Sequence, residues 1–471
     1  MQQVIPRRGP ALGTVAVVLV AVALVAAGSG LALLSSGSQR YILLLLVAGV
    51  AAIYVIPRMA RKEPTVTVAF LTVAFAVKLI GSLARYVVFE VVYRQGGDAK
   101  LYHQAGEAYY QMIRHADLSF LQAPYTGTNF LEYFTGGVYA VTGPTLPGAF
   151  LVFAMAAFAG SWFFYRAHRI AFPDGNSRLY RILVFFFPTM VFWPSSLGKD
   201  ALVVFALGLG CYGLARLLQR VSASALLQLL AGTGFAFAIR PAIGAVFLFG
   251  AILGFLIHPG RARTVASRPV AWALLAPLLV GALVLTVRTA SVLEGYDLTS
   301  QGAEEYYQET IQQAGSGGSA FQVGIPSSPV SAAQSAITVL FRPFPGESES
   351  AQAVLAGVES LSLGILVLLS LGPLFRAAKL WRGGMVVSVF LVTVGIVAAL
   401  AGFSNFGLLA RQRAQMLPFF FMLLAAVPWR ARRGAAARHA TPAGAQPAAA
   451  QAAATPGQEP IRPMASATRS T

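Results

Sequence analysis

The sequence predicts an all-α, polytopic membrane protein of about 12 transmembrane helices, with both termini cytoplasmic and two long outer loops carrying interfacial helices. Three observations lead there. Of the 471 residues, 56% are hydrophobic and only 11% charged. A soluble chain of this length could not bury so much apolar surface, nor stay dissolved with so little charge. The apolar residues fall in runs near the length that spans a bilayer. The basic residues fall in short clusters between those runs, so the formal net charge of +18 reads as a set of topology signals. It does not read as a nucleic-acid surface, and no nucleic-acid partner is expected.

The runs lie at roughly 11–34, 41–57, 65–92, 146–166, 179–195, 200–218, 222–239, 241–258, 268–288, 351–373, 384–402 and 414–429. The first follows Arg7 and Arg8 and lacks a small-x-small cleavage site, so it reads as a retained helix. With Arg7 and Arg8 cytoplasmic, every second gap should be rich in Arg and Lys. Those gaps hold Arg58/Arg61/Lys62, Arg166/Arg169/Arg178/Arg181, Arg216/Arg220, Arg261/Arg263/Arg268, Arg376/Lys379/Arg382 and Arg430/Arg432/Arg433. A missed or spurious helix would break that alternation downstream. The single cysteine, Cys211, excludes an internal disulfide. Residues 431–471 are Ala/Pro/Gln/Thr-rich and read as a disordered cytoplasmic tail.

The opposite, outer face holds most of the acids and the long loops at 93–145 and 289–350. It also holds five cations that run against the topology bias: Lys199, Arg240, Arg342, Arg411 and Arg413. A charge near the hydrocarbon edge is costly and points to function. Snorkelling, or simple pairing such as Lys199 with Asp200, would also account for single members. The set as a whole suggests a shared anionic ligand. In "YRQGGDAKLYHQAGEAYYQMIRHADLSF", Gly96-Gly97 break the third helix and leave Asp98 at its mouth. Asp98 either caps a helix over about 99–115 or serves as a general base at the membrane surface. That helix is amphipathic, with Tyr102, Tyr109 and Ile113 on one side and His103, Glu107 and Arg114 on another, and should lie along the interface. His103 and Glu107 at i, i+4 have metal-ligand spacing, but no third ligand is evident, so no metal site is assigned.

This layout resembles the GT-C superfamily of membrane glycosyltransferases over roughly residues 65–430, with 1–64 as two added N-terminal helices. An acid, Asp98 in "GGDAK", follows the first outward-ending helix of the module. Asp200, in "GKD", sits at the next outer gap, and a second long loop at 289–350 follows later. The family often carries paired acids where "GGDAK" has one, a departure that bears on the divalent metal ion such enzymes can use. No cofactor is assigned. The end of the chain, "NFGLLARQRAQMLPFF", is also similar to integral-membrane polymerases of lipid-linked polysaccharide repeats, which set outward arginines on a lipid pyrophosphate.

The resemblance implies hexosyl or pentosyl transfer from a polyprenyl-phosphate sugar to a glycan or lipid-linked acceptor among the membrane lipids, in a bacterial plasma membrane. It makes Asp98 and Asp200 the catalytic candidates. Lys199, Arg240, Arg342, Arg411, Arg413, Tyr102 and His103 become the substrate-binding candidates. Arginine suits a phosphate because its planar fork binds two oxygens and keeps its charge. Two motifs stay open. In "FRPFPG", Arg342 either holds a phosphate or pairs with Glu347 or Glu349. In "AIRPAIG", Arg240 sits on a tight turn that structure or function would equally explain. The middle of the 289–350 loop reads as a lid or as irregular chain. A transporter or flippase is the rival class. Its best support is Lys78, with Arg85, Glu90 and Glu359 as the other charges inside apolar runs.

Overall fold

The computed structural model describes residues 38–94, 96–117, 119, 126–257, 328–347, 351–377 and 383–427, together with 304, 308, 311, 312, 320 and 321. All of them belong to one compact unit, residues 1–429. The expected spans at 11–34 and 268–288, most of the 289–350 loop and the 431–471 tail lie outside the described residues.

The protein is an all-α polytopic membrane protein. In chain order the helices are α1 (Ser38–Lys62), α2 (Val68–Val87, continued by a π-helical turn Val88–Val92), α3 (Asp98–Arg114) and α4 (Gly127–Thr142). Then come α5 (Leu146–Ala171), α6 (Ser177–Phe186), α7 (Pro188–Phe192, with a 3-10 turn Trp193–Ser195) and α8 (Lys199–Gln219). They are followed by α9 (Ala223–Ile239), α10 (Pro241–Ile257), α11 (Pro329–Phe341), α12 (Ala351–Ala377), α13 (Gly384–Leu400), α14 (Phe406–Arg413) and α15 (Leu417–Leu424). Five helical stretches are long and apolar enough to cross a membrane, at 39–62, 68–92, 146–171, 199–219 and 356–376. Four more apolar helices, α9, α10, α11 and α13, are shorter.

The expected single span at 179–195 is broken, and proline is the reason. Pro188 has no N–H to continue the ladder and forces Phe187 into extended backbone at φ −61° and ψ 132°. Lys78, buried on α2, donates to Met190 O across 2.7 Å. The strongest sequence argument for transport thus sits as a hydrogen-bond donor to the broken segment. The expected last span at 414–429 is likewise shorter, because residues 414–416 turn before α15 begins.

Contacts sort the helix ends into two sets. At one end Glu63, after α1, pairs with Arg166 (3.7 Å) and Arg169 (3.3 Å) of α5. There too Arg181 of α6 donates to Thr65 O (2.6 Å), Gln219 of α8 to Ile170 O (3.5 Å) and Asn176 N to Ala425 O (2.8 Å). At the other end Arg40, at the start of α1, donates to Pro144 O (3.1 Å), and the starts of α3, α8 and α10 gather with α14. Among the described residues, the first three basic gaps, at 58–62, 166–181 and 216–220, thus lie at the first end.

The helices cross closely where glycines remove side chains. A Cβ on Gly208 of α8 would stand 2.4 Å from Gly160 O of α5, and one on Gly160 would stand 2.5 Å from Val204 O. Small residues let membrane helices make backbone contact. Gly208→Leu should therefore drive α5 and α8 apart. The expected cost is about 1–3 kcal/mol, read as a lower midpoint for thermal unfolding in detergent. An unchanged midpoint would contradict this packing.

Candidate functional site

Asp98 and Asp200 come together, although 101 positions separate them in the chain. Both lie in first turns, Asp98 opening α3 after Gly97 and Asp200 second in α8 after Gly198 and Lys199. Free N–H groups and the helix dipole favour a carboxylate at such positions. Gly97 takes φ +102°, a backbone that favours glycine, and turns the chain sharply from α2 into α3. Asp98 does not cap its helix, because Gly97 occupies the cap and the carboxylate reaches outward.

It reaches Arg411, at the C-terminal end of α14. Arg411 Nη1 donates to Asp98 Oδ2 at 2.9 Å and Arg411 Nε to Asp200 Oδ2 at 2.5 Å. One guanidinium thus joins two carboxylates. Arg240, at the turn between α9 and α10, donates to Asp200 Oδ1 at 3.1 Å and to Gln412 Oε1 at 2.5 Å. Gln415 Nε2 donates to the same Gln412 oxygen. Lys199 Nζ donates to Thr128 Oγ1 at the start of α4, 2.9 Å away. Asp200 is almost fully enclosed, at 3% side-chain exposure, whereas Asp98 is 53% exposed. The charge of Asp200, working against burial, holds the Arg411 guanidinium above its ordinary pKa, and Asp98 adds to this.

Tyr102, one turn beyond Asp98, is buried among these groups. Burial, helped by the charge of Asp98, pushes its phenol up to about 12, so it remains a neutral donor. His103 has its contacts elsewhere, with Tyr139 and Glu107. Its Nδ1 meets Tyr139 OH at 2.7 Å and its Nε2 stands 3.6 Å from Glu107. Burial lowers the imidazole pKa against the pull of Glu107. Arg342 and Arg413 are bonded elsewhere. Arg342 pairs with Glu347 (2.8 Å) and lies over the rings of Phe321 and Phe406. Arg413 is buried, donating to Val339 O (2.6 Å) and Ser360 Oγ (2.9 Å), and so ties α11 and α12 to α14.

Sequence reading missed Thr128 and Gln412 altogether, since neither carries charge. It also treated Arg85 only as a charge inside an apolar run. Arg85 lies 4.9 Å and 4.8 Å from the ring centroids of Phe192 and Trp193, just before the Gly198-Lys199-Asp200 turn, and its charge acts on Asp200. Four cations, Arg85, Lys199, Arg240 and Arg411, therefore surround two carboxylates. The surplus is positive and suits an anion. It does not suit a divalent metal: both Asp200 oxygens and Asp98 Oδ2 are taken by guanidinium groups. Among the described residues, no group of three or more His, Cys, Asp or Glu is placed to hold one.

The two acids should differ in what they do for stability. Asp200→Asn leaves two guanidinium groups in an enclosed site without their counter-charge, at a cost of about 3–5 kcal/mol. Asp98→Asn removes a half-exposed pair worth under about 1 kcal/mol. Thermal unfolding of the two variants should show a large drop for the first and a small one for the second. Equal drops would contradict this division.

No curated protein and no solved structure matches the chain. Residues 128–287, about a third of the sequence, match a family model. That stretch holds Thr128, Lys199, Asp200 and Arg240, with Asp98 and Arg411 to either side. The matching family is Dolichyl-phosphate-mannose-protein mannosyltransferase, a GT-C type of membrane glycosyltransferase family.

Proposed function

We propose that this protein transfers a sugar from a polyprenyl-phosphate donor to an acceptor hydroxyl at the outer face of the plasma membrane, in cell-surface glycan assembly. The observation that carries the reading is Arg411, which spans Asp98 and Asp200 with Arg240 and Lys199 beside it. Such a site offers a base and an anion seat within one side chain's reach of each other.

The chemistry is a single displacement. The acceptor oxygen bonds to the anomeric carbon as the bond from that carbon to the donor phosphate oxygen breaks. The acceptor's proton passes to the Asp98 carboxylate, which its exposure leaves open to an incoming hydroxyl. The electron pair leaves with the phosphate, and Arg411, Arg240 and Lys199 meet the charge that develops there. Asp200 holds the two arginines in place. The anomeric centre inverts. Placement of the basic gaps at 58–62, 166–181 and 216–220 at the opposite end supports an outward-facing site.

The polymerase reading needs both late arginines on a pyrophosphate, and only Arg411 of the two joins the cluster. The transport reading needs Lys78 in a solute path, whereas Lys78 binds Met190 O.

Asp98→Asn and Arg411→Ala, made in cells, test the proposal by mass spectrometry of surface glycans and lipid-linked sugars. The donor lipid should accumulate and its sugar should be missing from the glycan. Normal glycans accompanied by altered uptake of a solute would overturn the transferase in favour of a transporter.

A further inference from the structure

The other end of the bundle carries a second concentration of positive charge, unrelated to transfer. Arg166 of α5 and Arg216 of α8 both lie against the ring of Tyr212, at 5.4 Å and 5.7 Å from its centroid. Arg166 also lies 5.8 Å from the Trp162 ring, and its Nη2 donates to Tyr212 OH at 3.3 Å. Arg216 is steadied by Gln228 Oε1 (2.7 Å) and Ser224 Oγ (2.9 Å). Arg169 and Arg181 stand nearby. Among the described residues, Glu63 is the sole carboxylate in ion-pair contact with any of these four arginines. Arg166 Nε is enclosed and faces Glu63 Oε2 at 3.7 Å, too far for a hydrogen bond. Arg216 is sixteen residues from Asp200 along α8, or about 24 Å, so this is not the site described above.

From Tyr212 a half-buried aromatic stripe runs back toward that site. Phe163 stacks on Tyr212 at 5.8 Å and meets Phe205 at 6.1 Å, and Phe205 meets Phe235 at 6.1 Å. Each ring is partly open in the folded chain. We propose that Arg166 and Arg216 seat the phosphate of one anionic phospholipid, and that an acyl chain lies along Phe163, Phe205 and Phe235. A guanidinium beside an aromatic ring has five N–H donors, and those not used by Tyr212, Gln228 and Ser224 can meet phosphate oxygens. Basic pockets between helices at a membrane surface take such headgroups. A soluble phosphate would satisfy the arginines but leave the stripe unused, which favours a lipid.

The test uses the full chain, purified in detergent with added lipid. Phosphatidylglycerol should raise the unfolding midpoint by several degrees and be retained in native mass spectrometry, while phosphatidylcholine should not. The double variant Arg166→Gln/Arg216→Gln should bind phosphatidylglycerol about tenfold more weakly or worse. Arg216→Gln alone leaves the Glu63 pairs untouched, so it stays informative if the double variant folds poorly. Its phosphatidylglycerol shift should be clearly reduced. The proposal is overturned if phosphatidylcholine or inorganic phosphate gives the same shift, if only polyprenyl phosphate does, or if Arg216→Gln responds as fully as the unaltered chain. Loss of this response with transfer intact, or the reverse, separates this seat from the catalytic reading.

Discussion

One guanidinium holds the site together. Arg411 bonds Asp98 and Asp200 at once, and so ties the starts of α3 and α8 to the end of α14. Enclosing Asp200 at 3% exposure would be prohibitive without a partner. Arg240 supplies the second contact, and Gln412 in turn fixes Arg240. The arrangement is a chain of dependences in which each buried charge is compensated by the next. The surplus of positive charge remains, at the one carboxylate open to an incoming group.

The scaffold serves that arrangement by stopping helices at one level. Gly97 and Gly198 precede the two acids, the Arg240 turn joins α9 to α10, and Arg413 locks α14 against α11 and α12. Pro188 breaks the segment ahead of α8, and Pro194, which has no N–H to offer Met190 O, leaves that carbonyl to Lys78. Charges inside the apolar runs thus serve as supports for the ends of helices. The second basic end, around Glu63 and Tyr212, is built differently: Arg166, Arg181 and Arg216 lie over aromatic rings, and Arg166 and Arg169 share Glu63.

Much of this was legible in the sequence, for identifiable reasons. Hydrophobic runs located α1, α2, α5, α8, α9, α10, α12 and α13 because composition and length decide a helix in lipid. Gly96-Gly97 located the break before Asp98. Pro188 is a visible breaker as well, but the run stays apolar across it, so composition alone still reads one span. Arg411 and Arg413 looked equivalent, yet two residues on a helix point about 200° apart. Only one of them could face Asp200, and no composition argument says which. Arg342 was balanced between a ligand and a pairing with Glu347 or Glu349, and in the fold it pairs with Glu347 five residues on. Thr128 and Gln412 give no signal, because an uncharged hydrogen-bonding residue acquires its role from what folds against it.

The central claim is that this cationic cluster recognises a lipid-borne phosphate. The most direct measurement is equilibrium binding of a polyprenyl phosphate against the matching uncharged polyprenol, to the purified chain in lipid nanodiscs. Charge-assisted contacts from Arg411 and Arg240 predict about tenfold or greater preference for the phosphate, abolished by Arg411→Ala. Equal binding of the phosphate and the alcohol would contradict the account at its root.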